Sequence, residues 1–116
     1  FKVLEKYQIK GMAHITGGGI PGNLIRILPD GYQAKIDASS WRIFPFFKFI
    51  QRIGNIEMEE MFRVFNMGIG LILVVSKNNI KRIKKELQSS GGIVFEIGEV
   101  VSGKREVILT NLKKVK

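Results

Sequence analysis

Three consecutive glycines, Gly17-Gly18-Gly19, constrain this chain more than any other stretch, because they follow an alternating segment and precede a proline. Met12, His14 and Thr16 alternate with Ala13 and Ile15, so a strand here puts Met12, His14 and Thr16 on one face. Glycine tolerates positive φ and close approach of backbone to a ligand, and a run of it leaves N–H groups with no side chains in front of them. Pro21 suits the first position of a helix, where its missing N–H costs nothing. Leu24, Ile25 and Leu28 then give a short apolar stripe, ended by Pro29-Asp30-Gly31. Strand, glycine turn and helix start together make an anion-binding arrangement. The spacing matches neither a Walker loop nor the dinucleotide fingerprint, and a tight connection without a ligand explains the same residues equally well.

With 116 residues and no internal repeat, a single domain over 1–116 is expected, and a 45% hydrophobic content suffices for a core. Cysteine is absent and His14 is the one histidine, which excludes a disulfide framework and a thiolate zinc site and argues against a protein-built transition-metal centre. The longest apolar run, 69–75, is too short to span a bilayer and there is no signal-peptide pattern. A soluble cytoplasmic protein with no membrane partner is expected. The net charge of +9 comes mainly from Lys77, Lys81, Arg82, Lys84 and Lys85 and from Lys113, Lys114 and Lys116, away from the glycines. Beside an apolar stripe of Ile80, Ile83 and Leu87, and with no aromatic side chains interleaved, these charges read as a solvated face before they read as a nucleic-acid site. Position 1 is Phe rather than Met, which suggests a cut within a longer polypeptide.

Helical spacing over 2–7 suggests the end of a helix begun upstream. Alternation over 32–37 predicts a half-exposed strand, and Trp41 after it reads as a packing anchor. Pro45 opens a helix over 46–53 whose Phe46, Phe47, Phe49, Ile50 and Ile53 imply burial on more than one side, with Gly54 as its left-handed stop. Surface left open on that helix would mark where another domain or subunit packs. Asn55 is expected to cap a helix over 57–65 that carries acids in its first turns and a core stripe of Met58, Met61, Phe62 and Phe65. The run 69–75 lacks alternation and reads as a central strand covered on both faces, with Gly68 and Gly70 leaving room beside it. Asn66, just before, can orient a ligand or satisfy its own turn. A basic helix over 76–88 follows, then strands at 93–101 and 106–110 joined as a hairpin through 102–105, and a frayed tail at 111–116. Strands and helices mix without a strict βαβ repeat, which predicts an α+β fold, a layered α/β/α sandwich with a mixed sheet.

His14-Ile15-Thr16-Gly17-Gly18-Gly19, followed by Asn23, Arg26, Leu28 and Pro29, resembles the HITGGG…N..R.LP signature of the aminoimidazole ribonucleotide synthetases, the phosphoribosylformylglycinamidine cyclo-ligases. The likeness continues at Trp41, Gly54-Asn55, Glu59-Glu60-Met61-Phe62-Arg63 and Phe65-Asn66-Met67-Gly68-Ile69-Gly70, and so covers most of the chain. Ile25, where the family pattern has proline, and the Ile20-Pro21-Gly22 segment depart from it. The resemblance implies the C-terminal domain of a two-domain cytoplasmic ligase, homodimeric at full length, with an N-terminal ATP-binding domain as its partner.

The implied reaction is a ring closure of de novo purine biosynthesis, in which formylglycinamidine ribonucleotide and ATP give aminoimidazole ribonucleotide, ADP and phosphate. ATP with Mg2+ would activate the formyl oxygen and the amidine nitrogen would close the ring, the metal being held mainly by the N-terminal domain. The same resemblance makes His14, Thr16 and Asn66 the candidate catalytic residues. Gly17, Gly18, Gly19, Asn23, Arg26 and Gly68 become candidates for holding substrate or phosphate. Other ATP-using enzymes of this architecture, of the selenophosphate synthetase or thiamine monophosphate kinase type, are one alternative, and a basic nucleic-acid-binding module is another.

Overall fold

The computed structural model describes residues 6–116, so the helix expected over 2–7 lies largely outside the described residues. Strand β1 (Ile9–His14) runs through the glycine turn into α1 (Gly19–Leu24), which tightens into a 3-10 turn at Ile25–Ile27. Then come β2 (Tyr32–Asp37), α2 (Pro45–Gly54), α3 (Met58–Val64), β3 (Leu71–Val75), α4 (Ile80–Ser89), β4 (Gly98–Ser102) and β5 (Glu106–Thr110). The class is α+β, as expected, with helices layered on sheet, but the strands divide between two sheets. β1 pairs antiparallel with β3, while β2 lies between β4 and β5, antiparallel to the first and parallel to the second. One apolar core joins both sheets, with Ala13, Ile15 and Ile72 on one side, Ala34 and Ile36 on the other, and Ile20, Leu24, Trp41, Met61 and Phe62 between.

Four local expectations are corrected. The first concerns β3, which is not covered on both faces: its outer residues Leu71 and Leu73 stand opposite His14 and Met12, and Leu71 is exposed. Alternation was hidden because the outward positions of β3 are as apolar as the inward Ile72. The second concerns 93–101, where only Gly98 onward is strand, because pairing with β2 runs from Ile36↔Gly98 to Tyr32↔Ser102 and stops with β2. Gly98 is obligatory at that start, since a Cβ would fall 1.9 Å from the Lys35 carbonyl oxygen.

The third concerns 102–105, which does not close a hairpin: β4 and β5 flank β2, and the loop arches over the start of β2. There the Gly103 N–H donates to the Gly31 carbonyl at 2.9 Å, and Arg105 donates to the carbonyls of Leu28 and Ile25, each at 2.7 Å. A guanidinium on carbonyls at the end of a helical segment complements their lone pairs and the dipole, the Ile25 carbonyl also accepting the Leu28 N–H at 3.3 Å. The fourth concerns the tail, which is docked rather than frayed, since Leu112 and Val115 pack on the core and the Lys116 carbonyl accepts from the Ile43 N–H at 3.2 Å.

Helix limits differ in an instructive way. Asn55, at φ 49°, is the left-handed stop of α2, while Gly54 is still helical and a Cβ there would displace the Ile56 side chain, 2.8 Å away. Asn55 therefore ends one helix instead of capping the next, and α3 starts after Glu57 without a side-chain cap. Its stripe behaves as expected, with Met61 and Phe62 buried and Met58 and Phe65 partly so. Helix α1 begins at Gly19, ahead of Pro21, whose missing N–H is still among the four that a helix start leaves free.

Candidate functional site

The antiparallel pairing of β1 with β3 puts the exit of β1 beside the approach to β3, and the Ile15 N–H extends the ladder to the Gly70 carbonyl at 2.9 Å. Two loops distant in sequence, the glycine turn and Asn66-Met67-Gly68, thereby lie side by side. Their closeness is fixed at Gly19, whose Cβ position is 1.9 Å from the Phe62 carbonyl oxygen and 2.9 Å from that of Phe65. Helix α1 meets the end of α3 there with no room for a side chain.

The three glycines do different jobs. Gly18 is the N-cap of α1 at φ 97°, and Gly19 has φ 64°. The Gly19 N–H donates to the Thr16 carbonyl at 3.1 Å and Gly19 is buried, so it shapes the turn and its amide is not free for an anion as expected. Gly17 and Gly18 are exposed, and among the described residues their N–H groups meet no acceptor. Helix α1 has six residues, so the dipole behind these amides is small and the bare N–H groups themselves are what the turn offers.

Asn23 holds the turn from below. Its side chain is buried, and its amide donates to the carbonyls of Gly19 at 2.8 Å and of Thr16 and Gly17 at 3.2 Å, while its oxygen accepts the Thr16 hydroxyl at 3.3 Å. Expected as a ligand-binding residue, Asn23 is instead spent on the turn. Asn23→Ala would orphan these groups, and we expect a loss of about 2–3 kcal/mol in urea denaturation.

His14 is exposed at the end of β1, on the outer face with Met12 and Thr16, as the alternation predicts. Its imidazole has no hydrogen-bond partner among the described residues, so it is not a structural histidine held by its neighbours. Thr16 is exposed, its hydroxyl proton committed to Asn23. Arg26, also exposed, lies in the 3-10 turn beyond α1, roughly 10 Å along the axis from Gly19, so the structure does not bring it to the glycines.

The second loop is a tight turn with positive φ at both central positions, Met67 at 55° and Gly68 at 94°. Asn66 closes it twice, its carbonyl accepting from the Ile69 N–H at 3.0 Å and its side-chain oxygen from the Gly68 N–H at 2.8 Å. The carboxamide oxygen thus serves the turn, leaving the NH2 group for other partners. Two contacts that sequence reasoning missed clamp the loop from outside. Trp41 donates its indole N–H to the Met67 carbonyl at 3.0 Å and packs edge-on against Phe62, and the Phe44 ring lies 3.5 Å from the Cβ position of Gly68. A buried methionine held at positive φ is strained by roughly 1 kcal/mol, and the indole bond offsets that strain. Only the adjacency of Met67 to Gly68 hinted at such a turn in the sequence.

No described helix is long and apolar enough to cross a membrane, and among the described residues no group of three or more His, Cys, Asp or Glu stands together as a metal site.

The sequence model described as AIR synthase related protein, C-terminal domain, matches residues 2–111. The chain is 47% identical over 102 residues to a phosphoribosylformylglycinamidine cyclo-ligase of Bacillus cytotoxicus, covering 88% of this chain and 29% of that protein. It is 46% identical over 101 residues to the chloroplastic enzyme of that name from Arabidopsis thaliana, covering 87% of this chain and 26% of that one. The chain thus spans less than a third of the length of these relatives. Among solved structures, a thiamine-monophosphate kinase from Stenotrophomonas maltophilia superposes with a TM-score of 0.69 at 14% identity, over 92% of this chain and 33% of that one, a likeness of fold. With that fold, and with a family match running through both loops of the site, the chain belongs to the AIR synthase related proteins as a C-terminal domain.

Proposed function

We propose that this domain forms one wall of the active-site cleft of an ATP-dependent cyclo-ligase that converts formylglycinamidine ribonucleotide to aminoimidazole ribonucleotide. The observation that carries this reading is the meeting, at one end of the β1–β3 pair, of the Gly17 and Gly18 amides and an exposed His14, all without hydrogen-bond partners among the described residues, with the Asn66 turn. Identities near 46% to cyclo-ligases, against 14% to the kinase, favour ring closure over the other chemistries of the fold.

In this reading the amides of Gly17 and Gly18 receive a phosphate of the substrate or nucleotide, held open by Asn23 beneath them. ATP with Mg2+, bound mainly by the N-terminal domain, supplies the phosphoryl group that turns the formyl oxygen into a leaving group. The amidine nitrogen then bonds to the formyl carbon as the C–O bond breaks and phosphate departs. His14 takes or steadies the proton that the attacking nitrogen must lose, and the free NH2 of Asn66 and a lone pair of Thr16 orient the reacting amide. Gly68 acts at the margin by letting the second loop turn tightly beside the ligand, and Arg26, placed away from the glycines, takes no part in holding the phosphate. The domain works in the cytoplasm with its N-terminal partner, in a homodimer.

The test is ring closure by the full-length protein. Aminoimidazole ribonucleotide should accumulate with equimolar ADP, whereas phosphorylation of thiamine monophosphate without ring closure would replace this reading with the kinase one. The basic surface also allows a nucleic-acid module, which requires salt-sensitive binding of DNA or RNA by the 116-residue chain.

A further inference from the structure

Helix α2 points much of its apolar surface outward. Phe47 is buried, but Phe46, Phe49 and Ile53, at i, i+3 and i+7, are 63%, 59% and 69% exposed, and Phe44 at the N-cap is 61% exposed. A helix that served only this core would turn that stripe inward. The Phe44 and Phe46 rings both pack on Phe47, at centroid distances of 6.3 and 5.6 Å, so the exposed faces are continuous. At about 200 Å2 per large side chain, they leave on the order of 500 Å2 of apolar surface, near the upper end for a soluble monomer.

This patch adjoins the candidate site. Residues 41–44 hold the Asn66-Met67-Gly68 turn through the Trp41 indole on the Met67 carbonyl and the Phe44 ring against Gly68, and α2 follows directly.

We infer that the outward face of α2 is a docking surface for the N-terminal domain, and that docking steadies the Asn66 turn through Trp41 and Phe44. The inference rests on the two-domain reading above. A second copy of this chain is the poorer occupant: a stable dimer needs about 800 Å2 per partner, more than the patch provides. Two copies would also bring together chains of net charge +9, which repel. A tethered domain needs less area, because its effective concentration is already about millimolar. The relatives have that domain's length to spare, since over two-thirds of each lies outside the part this chain matches.

Hydroxyl-radical footprinting of the 116-residue chain and of the full-length protein tests the docking. Phe46 and Phe49 should oxidise readily in the short chain and about tenfold more slowly at full length, and equal rates would overturn the proposal. The double variant Phe46→Ser/Phe49→Ser tests the coupling. In the short chain it should leave thermal unfolding unchanged, and at full length it should lower kcat/KM about tenfold and restore oxidation of Phe44. Wild-type kinetics in that variant would overturn the coupling. A dimer of the short chain that the double variant dissociates would assign the face to a second copy and overturn the docking. Protection at full length in a protein that does not close the ring would sink the proposed activity and leave the docking standing.

Discussion

Gly19→Ala is expected to destabilise the domain by about 4 kcal/mol or more, a loss that leaves a chain of this size largely unfolded. The added methyl would sit 1.9 Å from the Phe62 carbonyl oxygen and 2.9 Å from that of Phe65, both backbone atoms that cannot swing aside, at a φ of 64° that alanine adopts poorly. Relief would require α1 to lift from α3, which opens the core at Ile20, Leu24, Met61 and Phe62, all fully or almost fully buried. Gly17→Ala is the internal control. A Cβ there meets nothing within 4 Å, so stability should hold or rise slightly while a methyl now stands beside the exposed amides. Urea denaturation of both variants separates the glycine that builds the fold from the glycine that faces solvent, a distinction that three identical letters in a row conceal.

That concealment shows how far the sequence could be read. Periodicity placed β1, β2 and α3 because each is short and has one consistently buried face. It placed α2 as well, but the burial expected on more than one side of that helix is not found: Phe47 is buried while Phe46, Phe49 and Ile53 are exposed, because aromatic content does not say which face meets the core. The outward face of β1 was legible too: Met12, His14 and Thr16 fall on it as the alternation requires. Pairing was not legible, because it depends on partners far along the chain. β5 adds to β2 in parallel across an arch, and 102–105 looks like a hairpin until the third strand between its arms is known. The outer residues of β3 are apolar although uncovered here, so hydrophobicity alone overstated its burial.

At the site, residue types were legible and their division of labour was not. Asn23 looked like a ligand contact and is the brace of the turn, because a carboxamide satisfies backbone carbonyls as readily as it binds a substrate. Asn66 lends its oxygen to Gly68, and Trp41 and Phe44 secure the loop from positions more than twenty residues away.

On the proposed reading, His14→Ala in the full-length protein should have the largest effect on chemistry. The imidazole is exposed, so its loss should change stability by less than about 0.5 kcal/mol. A positioned proton-transfer group contributes roughly 100-fold or more, so kcat/KM for ring closure should fall at least that far while the protein unfolds at an unchanged temperature. His14→Asn keeps a hydrogen-bonding group but cannot move a proton near neutrality, and it separates the two roles: a comparable fall assigns proton transfer, and partial retention assigns orientation.

The turnover of formylglycinamidine ribonucleotide by the full-length His14→Ala variant, measured beside wild type at saturating ATP, is therefore the direct measurement of whether this end of the β1–β3 pair is catalytic. A loss of about 100-fold or more with the fold intact is the expected result. Wild-type turnover would remove His14, and with it the glycine turn at its side, from the chemistry.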